Sequence, residues 1–213
     1  MLDAKPNLID ALVADLRPVK PLRTRDGTVL IAVAVVISVA AVAMVKGMWA
    51  GAWNGKASEI FLIVNGLLGV LGIVCSVGVL ASSSPRIGNR HDGPRWGLAM
   101  IGVVPMAALI HALNGHGLSA VLSDPYGLSC ALLAVSAAVP VAGALVWWLR
   151  RGAPVSPKLA GLFVGVAAGS FGSLAYGLSC PIDTMTHIGV WHIVQVVIRG
   201  LIGRLAVPLS VRW

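Results

Sequence analysis

Two cysteines end the same five-residue phrase, Tyr126-Gly127-Leu128-Ser129-Cys130 and Tyr176-Gly177-Leu178-Ser179-Cys180. A thiol can close a disulfide, bind a soft metal ion or act as a nucleophile, and its surroundings decide which. The third cysteine, Cys75, lies inside an apolar run and reads as a buried packing residue. Beyond Cys180 the chain turns dense in polar groups: Pro181, Asp183, His187, Trp191 and His192. His187 and Trp191 are one helical turn apart, and His192, Gln195 and Arg199 make a second stripe at helical spacing. Cys130, Cys180, Asp183 and His187 together offer two thiolates, a carboxylate and an imidazole. Zinc, cadmium and copper accept such donors.

No pair among them has a diagnostic metal-finger spacing. Three readings of the cysteines therefore stand open: a structural disulfide, a reversible redox or metal sensor, and inert thiols. Asp183, His187, Trp191 and His192 form the supporting polar cluster, and His111 and His116 flank the same side of the chain. No phosphate-cradling Gly-Lys-Ser loop, HExxH motif or nucleophile elbow is present in the sequence. No enzyme is expected, and no cofactor beyond a transient heavy-metal ion.

The elements that must position these residues follow from composition. The chain has 213 residues, 57% hydrophobic and 11% charged. Soluble domains carry about 25% charged residues, and a fold of this size cannot hide so much apolar surface from water. Six apolar stretches, near 28–46, 60–81, 97–114, 128–149, 159–178 and 187–207, are each long enough to cross a bilayer core of about 30 Å. The expectation is an all-α polytopic membrane protein. It has a soluble part over 1–27 and a bundle of six transmembrane helices over 28–213.

The net charge of +8 has a topological explanation. With the N-terminus inside, the inner segments hold Lys5, Arg17, Lys20, Arg23, Arg25, Arg86, Arg90, Arg95, Arg150, Arg151, Lys158, Arg204 and Arg212. The outer loops hold only Lys46 and Lys56. Cytoplasmic loops carry such an excess, so both termini are expected in the cytoplasm. No direct nucleic-acid contact is needed to explain the charge. Trp49, Trp53, Trp96, Trp147, Trp148 and Trp213 sit near predicted helix ends, where interfacial anchors belong. This orientation puts Cys130 and Cys180 at the outer ends of adjacent antiparallel spans. Gly161, Gly165, Gly169, Ser173 and Gly177 recur every four residues and make a smooth face for a close helix neighbour.

The first 27 residues are polar and mixed in charge, so no cleavable signal peptide is expected. Leu8, Ile9, Leu12, Val13 and Leu16 recur at helical spacing before Arg17-Pro18 stops the pattern. An isolated amphipathic helix this short is marginal in water, so its apolar stripe calls for a partner.

Across nearly its full length the chain resembles the NrsF-type family of bacterial six-helix inner-membrane anti-sigma factors. The resemblance rests on the head Leu8-Ile9-Asp10-Ala11-Leu12-Val13-Ala14-Asp15-Leu16-Arg17-Pro18-Val19, the segment Pro157-Lys158-Leu159-Ala160-Gly161 and the run Cys180-Pro181-Ile182-Asp183. His187, Trp191, His192 and the final Arg212-Trp213 add to it. It implies a protein that holds an extracytoplasmic-function sigma factor at the membrane and releases it on an outside signal. It also implies a functional cysteine pair, carried onto Cys130 and Cys180. Two other classes compete: a small multi-pass metal or solute transporter, and a membrane thiol-disulfide protein. The spans lack acidic residues at mid-membrane, which disfavours proton-coupled transport. The chain has no Cys-x-x-Cys pair of the kind redox enzymes present.

Overall fold

The structure is a computed structural model that describes residues 22–84 and 123–211 continuously, with scattered positions outside those stretches. Every described element is helical: α1 (Thr24–Lys46), α2 (Ala50–Trp53), α3 (Glu59–Ser82), α4 (Gly127–Ala137), α5 (Val139–Leu149), α6 (Pro157–Gly177), α7 (Met185–His187), a π-helical turn over Ile188–His192, and α8 (Ile193–Ser210). Among the described residues, five helical segments are long and apolar enough to span a membrane: Thr24–Lys46, Glu59–Ser82, Gly127–Leu149, Pro157–Gly177 and Met185–Ser210. The expected third span, 97–114, and the head stripe of Leu8, Ile9, Leu12 and Leu16 lie largely outside the described residues. Val13 is described there, and it is helical and exposed.

Local chemistry sets the helix ends. α1 begins at Thr24, ahead of the expected 28, because its polar first turn continues the helix beyond the apolar run. Asp26 stands in that first turn and Lys46 in the last, each complementing the helix dipole. Gly47 then leaves the helix at φ 74°, a conformation suited to glycine. Ser58 caps α3 by accepting a hydrogen bond from the Phe61 amide at 3.2 Å. Pro157 opens α6 at a position where its missing N–H costs nothing.

The expected span 128–149 is present but interrupted. α4 and α5 meet at Ala138, two residues before Pro140. Proline cannot donate to the carbonyl of the preceding turn, and its ring crowds that carbonyl. The last span is likewise not a plain α-helix, since the π-turn sits near its start.

α6 is the centre of the bundle. Its apolar window is 83% buried with a mean hydropathy of 1.6, whereas that of α1 is 22% buried at 2.9. The more exposed helix is the more apolar one, as expected where the surrounding solvent is lipid. Val36, Met44, Val45, Ile73 and Leu205 point outward in keeping with this.

The glycine face of α6 packs on α8. A Cβ added at Gly161 would collide with the Gly203 carbonyl, and one at Gly165 with the Arg199 carbonyl. Ser173, the fourth member of the repeat, donates to the His192 carbonyl at 2.7 Å. Gly177, the fifth, faces Asn65 of α3 instead. Burying apolar surface gives little drive between helices in lipid, so close packing and such hydrogen bonds, worth about 0.6–2 kcal/mol each, hold the seam.

The bundle has two chemically distinct ends. At one, Ser83 accepts from the Ala153 amide at 2.8 Å and Arg150 donates to the Ser210 carbonyl at 3.0 Å. Leu22 and Arg23 line a groove there with Trp147, Trp148 and Arg151. At the other, the Trp49 amide donates to the Leu178 carbonyl at 3.0 Å, and Ser58 meets Asp183. Among the described residues, Arg23, Arg25, Arg150, Arg151, Lys158 and Arg204 lie at or toward the first end, and Lys46 and Lys56 at the second.

Candidate functional site

Cys130 and Cys180 come together at the second end. Cys130 lies in the first turn of α4, and Cys180 follows the last turn of α6. Both are buried free thiols, 3% and 1% exposed. Their sulfurs and a ring nitrogen of His187 all lie within 4.8 Å of one another. The surrounding wall is apolar and small: Val42, Ala134, Ala137 and Ala175, with Leu133 and Ile182 beside them.

His187 is held from two sides. Thr184 caps its helix by accepting from the His187 amide at 3.4 Å. Its Nδ1–H donates to Oδ2 of Asp124 across 2.6 Å. In the neutral ring the other nitrogen is then an acceptor, and Nε2 stands 3.6 Å from Sγ of Cys180. Asp124 is fixed in turn, because its Oδ1 accepts from the Tyr126 amide at 3.0 Å just before α4 begins. The Cys180 thiol, which lies outside the spans, is pushed up by the neighbouring Cys130 thiol and by burial. The Tyr176 hydroxyl is 3.5 Å from Sγ of Cys130.

The π-turn brings His192 into the same place. Its ring stacks on Tyr176 at 6.1 Å between centroids and meets His187 edge-on at 5.5 Å. Neither of its ring nitrogens has a hydrogen-bond partner of ordinary geometry. Trp191 leaves the cluster and packs flat on Gly127, whose missing Cβ makes room for the indole. The two five-residue phrases thus do different jobs: Tyr126 is 59% exposed, while Tyr176 is 8% exposed against Cys130.

Asp183 departs from the ligand set expected of it. Its Oδ2 accepts from the Ser58 amide at 3.0 Å, and its carbonyl accepts from the Ser58 hydroxyl at 3.0 Å. The carboxylate thereby ties the loop after α6 to the N-terminus of α3, and the acid that serves His187 is Asp124. The available signal was an Asx turn at Asp124-Pro125-Tyr126, but nearness to Cys180 along the chain favoured Asp183. His111 and His116 lie outside the described residues. Cys75 is fully buried in the main core, as its sequence setting implied.

Deeper in the bundle, Gln195 donates to the Gly169 and His192 carbonyls at 3.2 and 3.3 Å. Arg199 turns inward, where its Nη2 donates to the Val135 carbonyl in the last turn of α4.

Two thiols, an imidazole and a carboxylate that orients it can bind a soft cation or undergo thiol oxidation. No solved structure matches the chain. It matches the family described as "NrsF: Negative regulator of sigma F" over residues 12–213. It is 31% identical to the "Anti-sigma-F factor NrsF" of Caulobacter vibrioides (strain NA1000 / CB15N), over 97% of this chain and 98% of that one. It is 29% identical to the "Probable anti-sigma-F factor NrsF" of Azospira oryzae (strain ATCC BAA-33 / DSM 13638 / PS), over 72% of each. With its all-helical fold and a match over nearly its whole length, the chain belongs to the NrsF family, a family of regulators and not of enzymes.

Proposed function

We propose that the chain is an inner-membrane anti-sigma factor. It sequesters an extracytoplasmic-function sigma factor at its cytoplasmic side and releases it when a periplasmic redox or metal signal reaches Cys130 and Cys180. The single observation that carries this reading is the separation of two surfaces by the length of the bundle. The thiol cluster occupies one end, and the cation-rich end, from which the N-terminal segment departs, is the other.

The charge partition supports a cytoplasmic basic end, with both termini there. Connectivity supports a sixth crossing. Ser84 stands at the basic end and Ser123 at the thiol end. The names of the relatives from Caulobacter and Azospira support a sigma-factor partner. The Leu8, Ile9, Leu12, Val13 and Leu16 stripe supplies an apolar helix face that a groove in such a partner can take. Sequestration then works by mass action, since bound sigma factor is withheld from polymerase. Release requires a bundle with two states whose balance the thiol site biases.

Affinity purification of the full chain from membranes tests the reading. A sigma factor should co-purify with the wild type and be lost from Leu12→Asp. Purification without any sigma factor, or full retention by that variant, would reject the head as the contact.

A further inference from the structure

We propose that the thiol end is a Cys2His site for a soft or borderline metal cation, with Cys130, Cys180 and Nε2 of His187 as ligands and Asp124 as the residue that positions His187. The inference rests on the sensing role proposed above and names its ligand class and its working parts.

The donor set points to this class. Two thiolates and an imidazole suit zinc, monovalent copper and similar ions, and disfavour magnesium or calcium, which take oxygen. The three donor atoms come from three different segments, the start of α4, the end of α6 and α7, yet lie within 4.8 Å. In tetrahedral coordination with metal–sulfur bonds of 2.3 Å, the two sulfurs stand about 3.8 Å apart. Donors that all lie within 4.8 Å of one another can reach that spacing around a shared ion by small side-chain adjustments.

Asp124 makes the imidazole a ligand and not a bystander. Its Oδ2 holds Nδ1–H at 2.6 Å, which fixes the tautomer with Nε2 as lone-pair donor and turns that nitrogen toward Cys180. A metal-bound histidine characteristically hands its other N–H to a carboxylate in this way. Asp124 is itself oriented by the Tyr126 amide, and its side chain is 16% exposed against 1% for His187. The carboxylate thus forms the rim through which an ion would enter. Beside the ligands stands His192, 2% exposed and without a hydrogen-bond partner of ordinary geometry on either nitrogen, at the edge of the site.

The binding step moves no electrons. Two S–H bonds break, two metal–sulfur bonds form, and both protons go to solvent, while Nε2 donates its lone pair and Nδ1 keeps its proton on the Asp124 side. The net change is a cation held between α4 and the α6–α8 pair.

Cobalt(II) provides the probe, because thiolate ligation gives it a sulfur-to-metal charge-transfer band. The full-length chain in nanodiscs is titrated with cobalt(II), followed by competition with zinc(II). The wild type should bind one ion with a thiolate band that Cys130→Ser and Cys180→Ser each diminish. Asp124→Asn and Asp124→Ala should weaken affinity about 10- to 100-fold yet reach the same band intensity at saturation, which shows that the thiols and the fold are intact. Asp183→Asn, whose carboxylate serves Ser58, should bind like the wild type. Wild-type affinity in both Asp124 variants would overturn the role of Asp124 while leaving thiol sensing standing. Absence of any thiolate band in the wild type would overturn the metal site altogether and leave the redox form of the sensor.

Discussion

His187 and His192 meet edge-on, 5.5 Å between ring centroids, although five residues separate them in sequence. In a regular α-helix residues five apart point to different faces. The π-turn over Ile188–His192 carries one residue more than an α-helical turn and so brings the two rings together. Such turns behave as single-residue insertions.

Deleting Val190 should therefore convert the turn to α-helix with the histidines at i and i+4, still neighbours. Deleting Val194 should instead rotate everything before it about the helix axis and break the Ser173 bond to the His192 carbonyl. Thermal unfolding in detergent is expected to stay within a few degrees of the wild type for the first deletion and to fall well below it for the second. Equal losses would show that the π-turn is not the slack element of this helix.

Gly165 of α6 and Gly66 of α3 differ sharply in what they meet. Gly165 lies against the Arg199 carbonyl, whereas Gly66 has open space where a Cβ would go. In a helix, glycine to alanine gains about 1 kcal/mol from propensity, and forced overpacking costs about 1–3 kcal/mol. Gly66→Ala should leave stability unchanged or slightly raised. Gly165→Ala should lower it and open the α6–α8 seam. Stability read by thermal aggregation in detergent checks the pair, and a neutral Gly165→Ala would mean that the seam yields easily.

How far the sequence disclosed all this depends on which residues carry long-range information. Hydropathy placed the five described spans, because lipid rewards apolar residues wherever they stand. The basic residues foretold which described helix ends group together, and the four-residue glycine rhythm foretold the α6 seam. Cys130 and Cys180 were singled out by rarity and by topology. Asp124 was missed because its partnership with His187 spans 63 residues and depends on how a loop folds back. The partnership of Asp183 with Ser58, 125 residues away, was equally out of reach of proximity along the chain. The π-turn leaves no compositional mark, so helical periodicity did not show how His192 comes beside His187 while Trp191 packs on Gly127.

Thiol reactivity should follow the surroundings of Cys180. The Cys130 thiol beside it and its burial push the thiol up, so the neutral form persists to higher pH and thiolate is scarce near neutrality. Ordinary thiols titrate near 8.5. In a Cys75→Ala background, alkylation of Cys180 should be slow at pH 8 and keep rising beyond pH 9. Cys130→Ala removes the larger cause and should speed it at every pH tested. A rate that levels off near pH 9 with Cys130 present would contradict this account.

Arg199 links the thiol site to the rest of the bundle through a single backbone atom. α4 carries Asp124 just ahead of it and Cys130 in its first turn, and its last turn offers the Val135 carbonyl to Arg199 of α8. Beyond that turn the span breaks at Ala138, so α4 and α5 are separate helical units. A hydrogen bond from a charged group contributes about 1.5–3 kcal/mol, and holding an arginine within the membrane costs about 2.5–3.5 kcal/mol. These nearly cancel, so Arg199→Met should change the unfolding temperature only slightly. It should nevertheless free the inner end of α4. In a background with Cys75 and Cys180 both replaced by alanine, Cys130 should then be alkylated several-fold faster than with Arg199 present. Arg199→Lys should fall between the two, because a single ammonium reaches the carbonyl without the rigid fork of a guanidinium. Unchanged labelling of Cys130 would show that the α6 packing alone fixes α4. A large drop in stability would show that Arg199 holds up the fold and not the position of one half-helix.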